Sequence, residues 1–317
     1  MLVLGYGWPR ARCRYSGVAR ARPAIRDRLC PVASCHRPDL EQAFDTVPVE
    51  DPVFLLALHG GEGEDGTVQR MLESRGLPFT GSGSAASAAA FDKARAKEAV
   101  RDRVRVPEAH TAKDAIELRE AVDELLARHA RVVLKPLAGG SSRGLFFLDR
   151  DSDREAIIGQ AASLGVPYLI EQFLIGREIT VGVVDRGSGP FALPCLEIEV
   201  DPGHAFDYEG KYLGKGTREI CPANLPPWIA TECQRAALEA HVALGCEGYS
   251  RSDFVSANDG VWFLELNTLP GLTTRSLVPQ QLEVAGISFR SFLQEQIDLA
   301  RRRVARGRST ADVQGAD

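Results

Sequence analysis

YSRSDFVSANDGVWFLELNTLPGLTTRSLVP, Tyr249 to Pro279, decides how the rest of the chain is read. Two strands, Tyr249–Ser256 and Val261–Asn267, flank Asn258-Asp259-Gly260, residue types that tolerate positive φ in a tight turn. Side chains two apart on a strand share a face, so Arg251 and Asp253 point one way, as do Glu265 and Asn267. A hairpin symmetric about Asp259 sets Asp253 opposite Glu265 and Arg251 opposite Asn267. A slip of one residue would undo that pairing. Two carboxylates and an amide oxygen beside an arginine form an oxygen-rich site for a hard cation such as Mg²⁺, which fills its other positions with phosphate oxygens and water. The plain alternative is a solvated hairpin face whose charges pair casually.

The chain has 317 residues, 44% of them hydrophobic, enough for a large core divided over two or three units. A net charge of −5 gives no reason to expect a nucleic-acid partner. No apolar run is long enough to span a membrane. Seven cysteines without a disulfide rhythm suit a reducing cytoplasm. Cys30, Cys35 and His36 lack the second ligand pair of a zinc site. Seven arginines crowd Arg10–Arg28 beside a single acid, Asp27, so this start reads as a solvated segment, a phosphate-facing surface, a transit peptide or a misread frame.

From Pro52 the pattern is regular. PVFLLAL is a continuous apolar run, as in a strand buried on both faces of a parallel sheet. It enters HGGEGEDG (His59–Gly66), whose glycines let backbone amides approach a ligand. Asp65 or Thr67 caps the following helix, which Gly76 ends. SGSAASAAAFDKARAKEAV reads as one alanine-rich helix, capped by Ser82 or Ser84, with Lys93 and Lys97 on one face. After a helix near 113–129, RVVLKPL and LFFLD flank the loop LAGGSSRG (Leu137–Gly144). That loop offers amides and hydroxyls to a phosphate beside Lys135, although it is no Walker A motif. YLIEQFLIGREITVGVV reads as strand, linker, strand, with Phe173 and Leu174 able to hold a flat ring and Glu178 able to accept from sugar hydroxyls. The long segment 202–227 carries Lys211, Tyr212 and Lys215, as a lid over a phosphate would. A last helix covers 288–306, and residues 305–317 are expected to form a flexible tail.

These pieces together resemble the D-alanine–D-alanine ligases of the ATP-grasp superfamily, over about Pro52 to Val304. The residues that carry the resemblance are LHGGEGEDG, GLPFTGSG, FDKARAK, VLKPLAGGSSRG, IEQFLIGREITVGV, EGKYLGKGT, RSDF and FLELNTLPGLTTRSLVPQQLEVAGISF. The resemblance implies an α/β (α+β ATP-grasp) fold. A Rossmann-like N-terminal unit (1–86) would precede a central lobe (87–172) and a C-terminal lobe (173–304). It implies ATP and two Mg²⁺ ions, with Mn²⁺ as a substitute, and a cytoplasmic homodimer acting on small amino acids, D-alanine above all. Lys93, Lys135 and Lys211 would contact phosphates, and the Ser142 loop would close over them. Glu171 would face the adenine edge, Phe173 and Leu174 would line the base pocket, and Glu178 would hold the ribose. Asp253, Glu265 and Asn267 would hold the metals. Arg251 and the Gly271 amide would stabilise the oxyanion, Ser141 and Tyr212 would orient loop and lid, and Ser276 and Leu277 would bind the acceptor carboxylate. His59 would sit near the first substrate.

Two features depart from that pattern. The family's GGxSxE-type loop, whose glutamate binds the first substrate's ammonium, has no counterpart in GYGWPRARCRYSG. Arg143 occupies a loop position that is usually small and apolar. A ligase of a different amino-acid pair and a non-catalytic nucleotide-binding homologue therefore stand beside D-alanyl-D-alanine synthesis as readings.

Overall fold

A computed structural model describes residues 51–139, 144–200 and 217–314, together with the strand backbones at 2–5 and 30–32. The apolar run after Pro52 forms β3 (Phe54–Ala57), buried as expected of a parallel strand. It pairs in parallel with β1 (Leu2–Gly5), which also pairs in parallel with β2 (Cys30–Val32). The zinc reading falls outside the described residues, because Cys35 and His36 are not among them and Cys30 is described by backbone alone.

Neither Asp65 nor Thr67 is the cap of α1 (Thr67–Glu73): Gly66, at φ 90°, takes that position without a side chain, while Asp65 Oδ1 accepts the Thr67 amide from outside the helix, and Gly76, at φ 62°, follows its end. The alanine-rich segment departs from the single-helix expectation. It breaks at Asp92 into α2 (Ser84–Phe91) and α3 (Lys93–Val100). Asp92 leaves helical geometry at φ −85°, ψ 108°, and its carboxylate accepts from the amides of Ala94 and Arg95. An aspartate satisfies two orphan donors better as a cap than in a helix interior. Neither Ser82 nor Ser84 caps α2; Glu73 takes the Ser84 amide at 2.8 Å instead.

The central lobe is an antiparallel sheet of order β4-β7-β5-β6, built from β4 (Ala109–Ala112), β5 (Arg131–Pro136), β6 (Phe146–Asp149) and β7 (Tyr168–Gln172). Helices α4 (Ala115–Arg128) and α5 (Arg154–Ser163) cover one face, burying Leu118, Val122, Leu125 and Ile158 against Val132, Leu134 and Ile170.

The C-terminal lobe is a second antiparallel sheet, with β8 (Arg177–Asp185) and β12 (Tyr249–Ala257) at its centre. β9 (Pro190–Ala192), β10 (Leu196–Val200) and β11 (Thr217–Ile220) extend it on one side, and β13 (Gly260–Asn267) forms the other edge. Cys233, Ala236, Ala237 and Ala240 recur at helical spacing on α6 (Pro227–Ala243), whose small side chains lie flush against Ile179, Val181, Phe254 and Phe263. Ala90, Ala96, Val100 and Val104 join this same cluster, so the buried side chains of α2 and α3 pack with the C-terminal sheet. α7 (Leu277–Val284) and α8 (Phe289–Gln314) complete the chain. The helix runs on past Arg306 to Gln314, so the backbone over 305–314 is helical where the sequence leads one to expect a flexible tail.

Candidate active site

The hairpin β12–β13 brings its polar residues together by a route the symmetric reading did not contain. Ala257 pairs with Gly260 across a two-residue loop, Asn258-Asp259, and Gly260 takes the positive φ of 141°. That loop alone would set Asp253 opposite Leu264. A bulge between Asp253 and Phe254 shifts the register, and Leu264 is the extra residue. Beyond it Asp253 faces Glu265 and Arg251 faces Asn267. The burial pattern carries the same signature: Val261 and Phe263 are buried on β13, and past the bulge the next buried residue is Leu266. Glu265 and Asn267 are thereby turned off the core face.

Asp253 accepts three hydrogen bonds from two residues. Arg251 donates to it through two nitrogens, at 3.0 and 2.8 Å, and the Thr180 hydroxyl donates at 2.6 Å. Glu178 lies two residues before Thr180 on the same face of β8, its backbone paired with Val255 and Ile198. Asn267 accepts the Leu269 amide with its side-chain oxygen at 2.7 Å, which fixes that side chain at the strand's end.

The break at Asp92 makes Lys93 the first residue of α3, where its amide donates to Leu137 O at 3.0 Å. Its ammonium donates to Gly139 O at 2.6 Å and stands 3.7 Å from Glu265. Lys93 therefore bridges the mouth of the glycine-serine loop and the hairpin. Lys135, on β5, is paired with Glu171 on the adjacent β7. Glu171 is fully buried, and its second oxygen stands 3.1 Å from Lys97. Burial opposes its ionisation, but Lys135 and Lys97 together hold it below the usual carboxylate range. The sequence places Lys97 on one helix face with Lys93; in the structure it is 5% exposed and reaches both Glu171 of β7 and Leu264 of β13.

Phe173 and Leu174 occupy the linker between β7 and β8. The Phe173 ring packs edge-on against Phe147, and the Arg131 guanidinium lies 4.7 Å from its centroid. At the far end of the hairpin, Ser276 and Leu277 form the start of α7, with Ser276 as the residue before its first turn. A methyl group added at Gly271 would lie 2.6 Å from Ser276 Oγ and 3.6 Å from His59 Nε2. Gly271, Ser276 and His59 are thus brought together, and only a residue without a side chain leaves space between them. Ser141, Ser142, Lys211 and Tyr212 lie outside the described residues, as does the GYGWPRARCRYSG stretch beyond Gly5.

The donor set suits a hard cation. Asp253, Glu265 and Asn267 present oxygen ligands on one face, with no sulfur or imidazole among them. Among the described residues no three His, Cys, Asp or Glu side chains are grouped so as to hold a metal ion by themselves. An open, partial shell is what Mg²⁺ takes when phosphate and water complete it.

A site of this kind, with Lys135 on a strand of the central lobe and carboxylates on a hairpin of the C-terminal lobe, belongs to the ATP-grasp class of ligases. The family model described as the D-ala D-ala ligase C-terminus matches residues 102–298. A D-alanine–D-alanine ligase of Bordetella petrii is 42% identical over 241 residues, 75% of this chain and 72% of that protein. The corresponding ligase of Leptospira interrogans is 38% identical over 262 residues, 79% and 74% of the two chains. The D-alanine–D-alanine ligase of Bacillus anthracis, solved in complex with ATP, superposes with a TM-score of 0.77 at 26% identity, covering 96% of this chain and 97% of that one. The VanG D-Ala:D-Ser ligase of Enterococcus faecalis gives 0.71 at 31% identity, covering 80% and 74%. The chain belongs to the D-alanine–D-alanine ligase family.

Proposed function

We propose that this protein is an ATP-dependent ligase that joins two D-alanines into D-alanyl-D-alanine in the cytoplasm, as a precursor of peptidoglycan. The observation that carries the reading is the convergence of Arg251, Asp253, Glu265 and Asn267 on one hairpin face with Lys93 beside them, in a chain of this family. The carboxylate of the first D-alanine attacks the γ-phosphate of ATP, and ADP leaves with the electrons of the broken P–O bond. The amine of the second D-alanine attacks the acyl phosphate, loses a proton, and expels phosphate. Negative charge develops in both steps, so fixed cations and backbone donors supply the stabilisation.

Lys93, Lys135 and Lys211 meet phosphate oxygens, with the Ser142 loop closed over them. For Lys135 this means exchanging its buried partner Glu171 for phosphate when nucleotide enters. Glu171, Phe173 and Leu174 form the base pocket, and Glu178 takes the ribose. Asp253, Glu265 and Asn267 hold Mg²⁺, which supplies neutralising charge for the transferred phosphoryl group. Arg251 and the Gly271 amide face the tetrahedral oxyanion. Ser276 and Leu277, at the positive end of α7, receive the acceptor carboxylate. His59 faces the first substrate, and Ser141 and Tyr212 orient loop and lid. A homodimer through the N-terminal unit completes the reading, and sedimentation at several concentrations tests it.

The deciding experiment incubates protein, ATP and Mg²⁺ with a panel of D- and L-amino acids while phosphate release is measured. Release with D-alanine supports the proposal. Release only with another amino acid transfers it to a ligase of a different pair, and ATP binding without any release overturns catalysis altogether.

A further inference from the structure

We infer that Lys97 is a positioning residue for the metal-binding hairpin, holding open the bulge that turns Glu265 and Asn267 into the cleft. Its ammonium donates to Leu264 O at 2.9 Å and Phe263 O at 3.3 Å, and stands 3.1 Å from Glu171. Two of its protons go to these carbonyls, and the Glu171 oxygen beside it makes an ion pair. In a regular strand consecutive carbonyls point to opposite edges of the sheet, so two neighbours converging on one cation mark the bulge itself. Among the described residues β13 is an edge strand; the Phe263 amide donates to Arg105 O at 2.8 Å, and no further strand pairs its carbonyls. Buried carbonyls without a donor would favour a regular register over the bulged one. That register would place Leu264, not Glu265, opposite Asp253.

The same ammonium lies 5.8 Å over the Phe263 ring, which anchors the residue just before the bulge. On its other side Glu171 is shared with Lys135, so one side chain fixes the hairpin relative to the phosphate-facing strand of the central lobe. The contacts of Lys97 are with the hairpin backbone and Glu171, so in this inference it acts through Glu265 and Asn267. The inference rests on the reading of those residues as metal ligands, and the test separates the two.

Mn²⁺, followed by electron paramagnetic resonance, is titrated into the ADP complexes of wild type and Lys97→Met, and ADP binding without metal is measured by calorimetry. Lys97→Met is expected to weaken Mn²⁺ binding at least tenfold while metal-free ADP binding changes less than threefold. A purely structural role would lower both together or neither. Removing Lys97 alone leaves a buried carboxylate with one partner fewer. If that variant does not fold, Lys97→Met/Glu171→Met replaces both charges with apolar groups; because Glu171 also belongs to the proposed base pocket, its Mn²⁺ affinity is compared with that of Glu171→Met, and a tenfold weakening between those two is the expected result. A folded variant with wild-type Mn²⁺ affinity overturns the inference while leaving the metal site standing. A wild-type protein that binds no Mn²⁺ overturns the metal reading, and this inference with it.

Discussion

Glu265 reaches the cleft because Leu264 is one residue too many for the ladder. On β13 it shares odd numbering with Val261 and Phe263, both buried against α6, and without the bulge its carboxylate would enter that core. Ionised carboxylates are costly to bury unpaired, so the bulge and the charge select each other. The proposed role of Glu265 as a metal ligand makes Glu265→Ala a sharp test. The variant should fold, because the side chain is about one-third exposed, and should lose at least about 10³-fold in turnover. Near-normal phosphate release would sink the assignment. A second residue-scale test is Gly271→Ala. Its methyl would crowd Ser276 Oγ at 2.6 Å, so the KM for the acceptor should rise by about tenfold or more, with ATP binding unchanged. An unchanged acceptor KM would remove Gly271 from the site. The pairing of Asp253 with Glu265 was legible in the sequence, but through a symmetric turn that the chain does not use. The usable signal was the change of polarity at fixed parity, apolar at 261 and 263, polar at 265 and 267. Lys97 was not legible, because a lysine four residues from another looks like a solubilising pair, and two of its three partners are backbone carbonyls.

Among the elements, strands and amphipathic helices were easier to read than the positions where they stop. The buried strand at Phe54–Ala57 and the strand–linker–strand around Phe173 follow from apolar runs bounded by glycine and proline. The break at Asp92 was hidden by alanine, whose helix propensity runs on through both halves. Helix α7 escaped notice because its first turn, Leu277-Val278-Pro279, reads as loop until Gln281 is seen knitting it to β8. That buried amide donates to Thr180 O and Pro194 O and accepts from the Gly182 amide. Helix α6 carries a group with a consequence for acid stability. His241 is buried, hydrogen-bonded through Nδ1 to Ser250 on β12, and burial pushes its pKa down from 6.5 to about 4. Unfolded, the imidazole takes a proton below pH 6.5; folded, it stays neutral until about pH 4. The unfolded state therefore binds more protons in that window, and stability falls as pH drops through it, by up to about 3 kcal/mol from this group. Comparing unfolding of wild type and His241→Gln at pH 7 and pH 4.5 checks the sign. The variant is expected to start less stable and to lose less on acidification, and equal losses would assign the acid sensitivity elsewhere.

At the scale of the whole molecule, three hydrophobic clusters divide the described residues unevenly. The first joins Phe54, Leu56 and Phe79 of the N-terminal unit to Tyr249, Val278 and Phe292. The second joins α3 and α6 to the C-terminal sheet. Strands β8 and β12 supply residues to both, Val184 and Tyr249 to one, Val183 and Phe254 to the other, so these two clusters should melt as one unit. Arg303 adds a polar tie, donating to Phe79 O at 2.7 Å and Gly81 O at 2.8 Å while stacking on the Phe79 ring. The third cluster, from Ala112 to Ile170, contains central-lobe residues alone. Its links to the remainder include the Lys97–Glu171 pair and the bonds of Lys93 to Leu137 and Gly139. Few apolar contacts across a boundary favour independent opening. Calorimetry without nucleotide should therefore show two overlapping transitions, with a calorimetric enthalpy larger than the van't Hoff value. A non-hydrolysable ATP analogue with Mg²⁺, bridging Lys135 on one lobe and the hairpin on the other, should merge them. At about a hundredfold excess over its Kd the added stability is about 2.7 kcal/mol, enough to move the weaker lobe's transition upward by several degrees. A single two-state transition already present without nucleotide would show that polar links alone make the lobes cooperative, and the cleft would then be rigid before ATP arrives.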